Sequence, residues 1–313
     1  MNYYIYAPTY DENSGGSVVL HRLCHLINQI DGCNAYLVPF CPERKPLNTL
    51  SMIFIDILKI IKWLMVLPFE KYLFKTHPSW CTPVKTKFEI KDIKDSIVIY
   101  PEITYGNPLN ATNVVRWFLH QPGHFTKHVC IGVNEFHVKF NSAIKDFNHC
   151  FSHLSARELK VIYYPLEYYN EHGTVNRDGC CYLVRKGKDK DTCHPENAIK
   201  IDDLSHSKVA DIFKKSKRFI SYDDYTAYSI FAVLCGCESI VVPRDGVSKE
   251  HWYPNPIDRY GIAYGFSNEE VALAHDSRDK VLAHILNEHQ RSFDNVKIFV
   301  EDTTVFFYSS KRN

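Results

Sequence analysis

The regular alternation of short apolar runs with helical patterns constrains the fold of this chain most strongly. Residues 3–7 form a β-rich run, and in the stretch after them apolar residues recur at three- and four-residue steps, as on one helix face. The runs NAYLVPF, DSIVIYPEI, NVVRWFLHQP and HCFSHLS follow, separated by turns or helical stretches. Strands that alternate with helices predict a parallel α/β sheet with helices on both faces.

The pattern restarts after the polar stretch 168–179, YYNEHGTVNRDG, which is the best candidate for a linker. Strands are predicted at CCYLVRKG, AIKID, RFISYD, SIVVP and YGIAYGF, and helices at SHSKVADIFKKSK, YTAYSIFAVLCG and 268–289. This order predicts two Rossmann-like domains facing a cleft, one over 1–167 and one over 168–293. The stretch 294–313 carries an apolar helical pattern and is expected to cross back onto the first domain.

Composition excludes several classes of protein. Lys plus Arg (37) and Asp plus Glu (36) nearly cancel, so no global field attracts nucleic acid, and an anionic ligand requires a local cluster. The 11 cysteines are odd in number and irregularly spaced, which indicates reduced thiols and no zinc site. The N-terminus MNYYIYAP lacks the features of a signal peptide, so a cytoplasmic location is expected.

One apolar segment, residues 50–69, raises the question of a membrane. Asp56, Lys59 and Lys62 interrupt it at three-residue intervals and form one polar stripe on a helix. A membrane span would bury these charges at roughly 2.5 to 3.5 kcal/mol each, so an amphipathic helix is predicted instead. Two interpretations stay open: a core helix with one wet edge, or an interfacial helix that docks on the inner face of the cytoplasmic membrane.

A double glycine, Gly15 and Gly16, lies between the first strand and the first helix. Two glycines in a polar turn indicate that something other than side chains approaches the backbone closely, and the N–H groups there suit a phosphate or a sugar hydroxyl. The turn is neither a dinucleotide fingerprint nor a P-loop. The alternative is a sharp strand-to-helix turn without a ligand.

Two further stretches could hold a donor. In VRKGKDK (184–190), Arg185 and Lys188 place positive charge at the end of a strand, which suits a diphosphate; the alternative is a solvated basic loop. In FISYDDYTAYSIFAVLCGCESIVVP (219–243), a strand is expected to end at Asp223, and polar residues to open a helix that Gly236 closes. A carboxylate there could accept hydrogen bonds from ribose hydroxyls, or Asp224 could serve as an N-cap only. The predicted binding residues of this stretch are Asp223, Asp224, Tyr225 and Thr226.

With SGGSVVLHRL early, VRKGK at the head of the second half and YDDYTAYSIFAVLCGCESIVVP later, the chain resembles a GT-B glycosyltransferase. IVIYPEITYGNPLNATNVVRWFLHQPG and RYGIAYGFSNEE resemble members that build bacterial surface polysaccharides, such as lipopolysaccharide or capsule. The resemblance implies a nucleotide-sugar donor on the C-terminal domain, an acceptor on the N-terminal domain, and neither a metal nor a cofactor. Arg185 and Lys188 match the basic residues that such enzymes use on the diphosphate. Where relatives place a glutamate, this chain has Asp223 and Asp224 and no E-x7-E spacing.

Transfer with inversion needs a base that takes the proton of the acceptor hydroxyl. Glu102, Asp11 and His120 follow predicted strands and are the candidates. Each also has a structural interpretation, in which Glu102 caps a turn, Asp11 holds its loop and His120 is a hydrogen-bonded core residue. A retaining mechanism would not need a dedicated base.

The expected function is therefore transfer of a sugar from a nucleotide-sugar donor to a lipid-linked or oligosaccharide acceptor, with peripheral membrane contact through residues 50–69. Two alternatives remain. One is a nucleotide-sugar epimerase of the same fold, and the other is a catalytically silent scaffold or sugar-binding subunit.

Overall fold

The computed structural model describes residues 1–40, 74–87, 90–126, 129, 131–142, 144–174 and 176–309. The chain divides into two compact units, unit 1 (Met1–Tyr163 with His289–Asn313) and unit 2 (Tyr164–Glu288). The predicted divisions at 167/168 and 293/294 thus lie a few residues beyond the observed ones. The segment 50–69, with its predicted amphipathic helix, lies outside the described residues.

Unit 1 is built on a six-stranded sheet in the order β2-β1-β3-β4-β5-β6, with every neighbouring pair parallel. Its elements are β1 (Asn2–Ala7), α1 (Gly15–Ile27), β2 (Asn34–Pro39), α2 (Ile90–Lys94), β3 (Ile97–Pro101), β4 (Asn113–Phe118), β5 (Phe136–Lys139) and β6 (His153–Glu158). The sequence reading missed β5, and it placed the last strand a few residues before β6.

The central strands of unit 1, β1, β3 and β4, are covered on both faces, as is usual for parallel strands. In β1, Tyr3 and Ile5 pack into the main core with residues of α1, whereas Tyr4 and Tyr6 face a second cluster on the opposite side. Successive side chains of a strand point to opposite faces, and both faces of β1 are buried. The run 3–7 therefore forms a strand although none of its side chains faces solvent. The same burial on both faces is found in β3, IVIYP.

A long C-terminal helix, α7 (Val281–Tyr308), completes unit 1 with its second half. Val296, Phe299 and Phe307 are buried in the main core of the unit. The hydroxyls of Tyr3 and Thr303 lie 3.0 Å apart, which ties the helix to β1. Burying each of the two phenylalanines contributes about 2 kcal/mol. The prediction that the C-terminal stretch packs on the first domain is therefore confirmed.

Unit 2 repeats the arrangement on a smaller scale, with five parallel strands in the order β11-β10-β9-β7-β8. Its elements are β7 (Cys180–Leu183), β8 (Ile199–Lys200), α3 (His206–Lys215), β9 (Arg218–Ser221), α4 (Tyr228–Leu234), β10 (Glu238–Val241), α5 (Lys249–Trp252), β11 (Ile262–Tyr264) and α6 (Asn268–Ser277). Two 3₁₀ turns, Pro256–Arg259 and Arg278–Lys280, precede β11 and α7. The predicted helix 268–289 is thus divided between α6, the second turn and α7.

The strand order decides where each unit can bind a ligand. The chain of unit 1 moves from β1 to β2 on one side and then to β3 on the other, and unit 2 does the same with β7, β8 and β9. In both units the order of the first five strands is 2-1-3-4-5, in which a ligand binds beyond the carboxyl ends of the first and third strands. The prediction of two Rossmann-like parallel-sheet units is confirmed. The observed strand order locates one switch point in each unit.

Candidate functional sites at the two switch points

At the switch point of unit 1, the loop after β1 meets the residues after β3 and β4. A side-chain carbon built on Gly16 would lie 3.8 Å from Leu119 Cδ1, and the backbone N–H of Leu119 donates to Glu102 Oε2 at 3.0 Å. The start of α1 and the carboxylate of Glu102 therefore border the same residue. Two of the stretches that the sequence marked come together here.

The double glycine opens α1 and has no packing reason within the described chain. A side-chain carbon built on Gly15 would meet no described atom within 4 Å, and neither Gly15 nor Gly16 has a positive φ. Ser14 caps the helix by accepting a bond from the backbone N–H of Ser17. Among the described residues none accepts from the N–H of Gly15 or Gly16, which are the groups that a helix start leaves unsatisfied.

Glu102 is buried, with only 9 % of its surface exposed, which is unusual for a carboxylate. Burial raises its pKa above 4.5, and the opposing effects of the backbone N–H groups of Leu119, Glu102 and His120 and of the Arg116 charge do not cancel that rise. No cation among the described residues forms an ion pair with it. Glu102 therefore binds a proton more readily than an ordinary glutamate.

The other two candidate bases differ from Glu102. Asp11 is exposed, and its Oδ1 accepts a bond from the N–H of Asn13 at 3.0 Å, so its carboxylate closes a local turn. His120 is half-buried; its Nδ1 accepts from the N–H of Gln121 at 2.8 Å, and its ring stacks on His124 with centroids 3.9 Å apart. Both lie at the carboxyl edge, as predicted, but each already has a structural contact.

Beneath this edge lies a buried ion pair that the sequence reading did not identify. Arg116 in β4 is fully buried and binds Glu135 with both arms, Nε to Oε2 at 3.0 Å and Nη2 to Oε1 at 2.7 Å. Arg116 also donates to the carbonyl oxygens of Thr104 (2.9 Å) and Gly106 (2.7 Å). It thereby fixes the loop that follows Glu102.

Glu135 is held in its charged form by this arrangement. Burial acts to raise its pKa, but the bonds with His137 and Arg116 outweigh burial and lower the pKa to about 2. His137 Nε2 lies 3.3 Å from Glu135 Oε2. Because Glu135 stays ionised and its charge is matched, the pair supports the site without competing with Glu102 for the role of base.

At the switch point of unit 2, the loops after β7 and β9 are in direct contact. A side-chain carbon on Gly187 would lie 2.0 Å from the carbonyl oxygen of Tyr222, so only glycine fits at this position. The Tyr222 hydroxyl accepts from the N–H of Cys193 (2.7 Å) and lies 2.7 Å from His194 Nδ1. Tyr222 therefore joins both ends of the 187–194 segment to β9.

Asp224 lies within a charge network that connects three loops. Its Oδ1 accepts from Lys190 Nζ at 2.6 Å and its Oδ2 from Arg244 Nε at 3.1 Å. Lys190 also donates to the carbonyl oxygen of Val242 (2.6 Å), and Arg244 to Asp189 Oδ2 (3.2 Å). Both carboxylate oxygens of Asp224 are thus occupied by cations, which fits a residue that fixes Arg244 better than one that contacts ribose.

The basic loop after β7 is ordered by a carboxylate from the loop after β8. Asp202 accepts from the backbone N–H groups of Val184 (3.0 Å) and Arg185 (2.8 Å). Arg185 has a φ of 39°, and its guanidinium carbon lies 4.6 Å from the ring centroid of Tyr228. Lys188 is exposed. Arg185 and Lys188 therefore lie at the predicted edge, and Asp202 is the residue that the sequence reading missed.

The predicted start of the helix after β9 is wrong. α4 begins at Tyr228 after Ala227, which makes no side-chain cap, and Asp224 binds Lys190 and Arg244 instead of the helix. Asp223 Oδ1 accepts from the N–H of Tyr225 at 3.3 Å. Thr226 Oγ1 accepts from the N–H of Tyr228 at 3.3 Å, and Tyr225 is 63 % exposed. The predicted end is observed, since Gly236 follows α4 with a φ of 85°.

The described part of the chain holds neither a cluster of metal ligands nor a membrane-spanning helix. No group of three or more His, Cys, Asp or Glu side chains there is placed to hold a metal ion. None of the helices in the described ranges is both long enough and apolar enough to cross a bilayer.

Comparison with known proteins gives distant structural similarities. No protein-family model and no curated protein matches the sequence. The structure is similar to that of the DNA-modifying enzyme β-glucosyltransferase, studied with and without uridine diphosphoglucose, at 9 % identity over 100 % of this chain and 99 % of that chain, with a TM-score of 0.39. It is similar to MurG of Acinetobacter baumannii at 9 % identity, covering 94 % of each chain, with a TM-score of 0.31.

A third similarity is to sucrose-phosphate synthase of Thermosynechococcus elongatus, at 11 % identity over 99 % of this chain and 98 % of that chain, with a TM-score of 0.28. Similarities at these identities and TM-scores do not assign an activity. Function is therefore inferred from the residues at the two switch points.

Proposed function

We propose that the protein is a glycosyltransferase that moves a sugar from a nucleotide-sugar donor to a carbohydrate or lipid-linked acceptor. One observation carries the proposal: the two switch points have different chemistry. Unit 1 offers a buried carboxylate with raised proton affinity, and unit 2 offers exposed cations on an ordered loop. A transfer reaction needs both a proton acceptor for the incoming hydroxyl and an anion site for the leaving diphosphate.

In unit 2, Arg185 and Lys188 are proposed to bind the donor diphosphate. The planar fork of arginine can bind phosphate oxygens bidentately, and the Asp202 bonds to the loop backbone hold it in place before the ligand arrives. Asp223, Tyr225 and Thr226 adjoin the loop and supply polar groups for the nucleoside. Asp224 is assigned a holding role, since its oxygens bind Lys190 and Arg244.

In unit 1, Glu102 is proposed as the base. Its carboxylate takes the proton of the acceptor hydroxyl as the hydroxyl oxygen attacks the anomeric carbon. The bond from that carbon to the diphosphate breaks, and the nucleoside diphosphate leaves with the electron pair. Such a single displacement inverts the anomeric centre. A raised pKa suits this role, because a stronger base accepts the proton of the attacking hydroxyl more readily. Asp11 and His120 remain second candidates.

The start of α1 is proposed to bind a polar group of a substrate. The N–H groups of Gly15 and Gly16 lie at the positive end of a helix dipole, and the missing side chains leave room for a phosphate or sugar hydroxyl. The nearby Leu119 connects this position to Glu102.

The finer assignment rests on the resemblance of the sequence to surface-polysaccharide glycosyltransferases. It favours a metal-independent reaction in bacterial surface glycan synthesis, at the inner face of the cytoplasmic membrane, with residues 50–69 as the contact. Replacing Ile57 and Ile61 by charged residues should then reduce binding to anionic liposomes, whereas unchanged binding would remove the membrane contact from the proposal.

A thermal-shift screen against UDP, GDP, CMP and their sugars tests the proposed function. A ligand that binds only the folded protein adds about 2.7 kcal/mol of stability at 100 times its dissociation constant. One nucleotide should raise the melting temperature of the wild type. The same nucleotide should raise the melting temperature of Arg185→Ala much less. Lys208→Ala removes an exposed positive charge elsewhere in unit 2 and is the matched control.

The products separate transfer from its alternatives. Release of nucleotide and free sugar supports a transferase, because water can replace the acceptor. Conversion of one nucleotide sugar into another would show an epimerase. No shift with any nucleotide would contradict the proposal and leave the non-catalytic scaffold.

A further inference from the structure

Three aromatic rings form a compact stack directly after β4. The imidazoles of His120 and His124 lie 3.9 Å apart at 26°. The ring of Phe125 meets both nearly edge-to-face, with centroid distances of 4.9 Å to His120 and 4.7 Å to His124. This set of rings is called the β4 aromatic platform below. Each ring orients the next, so Phe125 is held in a defined position.

The Phe125 ring is largely exposed to solvent. Its exposed fraction is 67 %, although it contacts both histidine rings. Exposing a phenylalanine forgoes roughly 2 kcal/mol of burial, so an ordered and exposed ring favours a binding role over a packing role.

The platform is connected to Glu102 through very few atoms. Leu119 precedes His120 and donates its N–H to Glu102 Oε2 at 3.0 Å, and the N–H of His120 also acts on that carboxylate. The first ring of the platform, His120, therefore follows directly on a residue that is bonded to the proposed base. The turn that carries the rings is itself fixed, with the N–H of His124 bonded to the carbonyl oxygen of Gln121 at 3.0 Å.

Polar groups accompany the rings. The side-chain oxygen of Gln121 accepts from the N–H of Lys145 at 2.9 Å, which orients the amide. Within the described ranges nothing accepts from its NH₂ group, and the imidazole of His124 adds a second polar edge. A sugar ring presents both C–H groups and hydroxyls, and an aromatic face beside amide and imidazole groups matches both.

The charge of the segment decides between a sugar and a nucleic acid. The sequence 117–138 contains one lysine and no arginine. Stacking of nucleobases in proteins is accompanied by a basic groove that follows the phosphates. A neutral pyranose needs no such groove, because its polarised C–H groups are attracted to the negative face of an aromatic ring.

We propose that the β4 aromatic platform is the acceptor subsite and that it stacks a neutral pyranose ring on Phe125, which determines acceptor specificity. The inference rests on the proposed function, because an acceptor subsite requires a transferase, here with Glu102 as its base. It specifies the acceptor as a carbohydrate with a sugar ring adjoining the reacting hydroxyl.

Saturation-transfer NMR on the full chain tests this subsite without a donor. The probes are methyl β-D-glucopyranoside, methyl β-D-galactopyranoside, N-acetylglucosamine and cellotetraose. At least one should bind the wild type, and Phe125→Ala should weaken that binding about tenfold, the value of an aromatic contact. Phe125→Trp should retain the binding and Phe125→Leu should not. Phe151→Ala, which removes a ring that is 91 % exposed elsewhere, should bind like wild type.

Two results would overturn the subsite: no saccharide binds, or Phe125→Ala binds as well as wild type. A thymidine oligonucleotide or neutral lipid vesicle that depends on Phe125 in place of the sugars would also overturn it. The thermal shift caused by the donor, measured on the same preparations, distinguishes failure of the subsite from failure of the proposed transferase function. A donor shift without Phe125-dependent sugar binding rejects the subsite alone. The reverse result rejects the transferase and leaves a sugar-binding site without an acceptor role.

Discussion

Glu102 in unit 1 and Asp224 in unit 2 occupy comparable positions, each just beyond the third strand of a 2-1-3-4-5 sheet. Their environments are opposite. Glu102 accepts a backbone N–H bond, and burial raises its pKa. Asp224 binds Lys190 and Arg244 through its two oxygens. A carboxylate without a paired cation can exchange a proton, whereas one that is bound on both oxygens holds its partners in place.

The same contrast separates the two glycine turns. Gly187 is required by contact with the Tyr222 carbonyl oxygen, so packing within unit 2 explains it. Gly15 has no such neighbour among the described atoms. One glycine lets the protein pack against itself, and the other leaves the start of α1 open to a ligand.

The largest effect is expected at the ion pair beneath Glu102. Arg116→Ala leaves Glu135 buried without its arginine, which should cost about 3 to 5 kcal/mol of unfolding free energy. Arg157→Ala breaks a pair whose arginine is 60 % exposed and should cost less than about 1 kcal/mol. Urea unfolding measures both. Equal losses would show that the buried pair does not support the unit 1 site.

The two glycines should respond differently to alanine. Gly187→Ala forces the loops of unit 2 apart and should cost about 3 kcal/mol, because the clash involves backbone. Gly15→Ala should stay within about 1 kcal/mol of wild type, since alanine suits a helix, but should weaken ligand binding. Denaturant midpoints and ligand titrations test the pair. If Gly187→Ala were as stable as wild type, the close contact between Gly187 and the Tyr222 carbonyl oxygen would be refuted.

A smaller effect is expected from the charge network around Asp224. Asp224→Asn weakens the bonds to Lys190 and Arg244 and should cost about 2 kcal/mol together with donor affinity. Asp189→Asn alters a carboxylate that is 61 % exposed and should change stability by less than about 0.5 kcal/mol. If Asp224→Asn lost donor binding while keeping full stability, Asp224 would contact the ligand directly, contrary to the holding role.

Much of the fold could be predicted from the sequence, because local patterns determine it. The apolar run of β1 and the helical steps in α1 are visible without the structure, and Gly236 marks the end of α4. The rule that ligands bind beyond strand ends selected Glu102 and the loop 184–190. β5 was missed because four residues give too short a pattern.

The contacts that define the sites could not be predicted, because they join residues far apart in sequence. Arg116 and Glu135 are 19 residues apart, and an arginine inside an apolar strand gives no indication of its partner. Arg244 and Asp224 are 20 residues apart. The sequence offers two roles for Asp224, a contact to ribose or an N-cap, and it does not reveal the bonds to Lys190 and Arg244 that occupy both carboxylate oxygens.

Nucleotide release from a donor sugar by wild type and by Glu102→Gln tests the central claim most directly. The glutamine keeps the shape of the side chain and can accept the Leu119 N–H bond, so donor binding and folding should persist. Because the pKa of Glu102 is raised, the stability linked to its proton is present below pH 4.5 and lost as pH rises through the higher folded value. The variant should lack that loss, which provides an independent check that the carboxyl is the titrating group.

We predict that Glu102→Gln binds the donor as wild type does. It should release nucleotide about 100-fold more slowly, or more slowly still. It also predicts that wild-type release rises with pH as Glu102 ionises, whereas release by the variant does not follow that rise. Release by Glu102→Gln at the wild-type rate, with the donor bound, would contradict the assignment of Glu102 as the base.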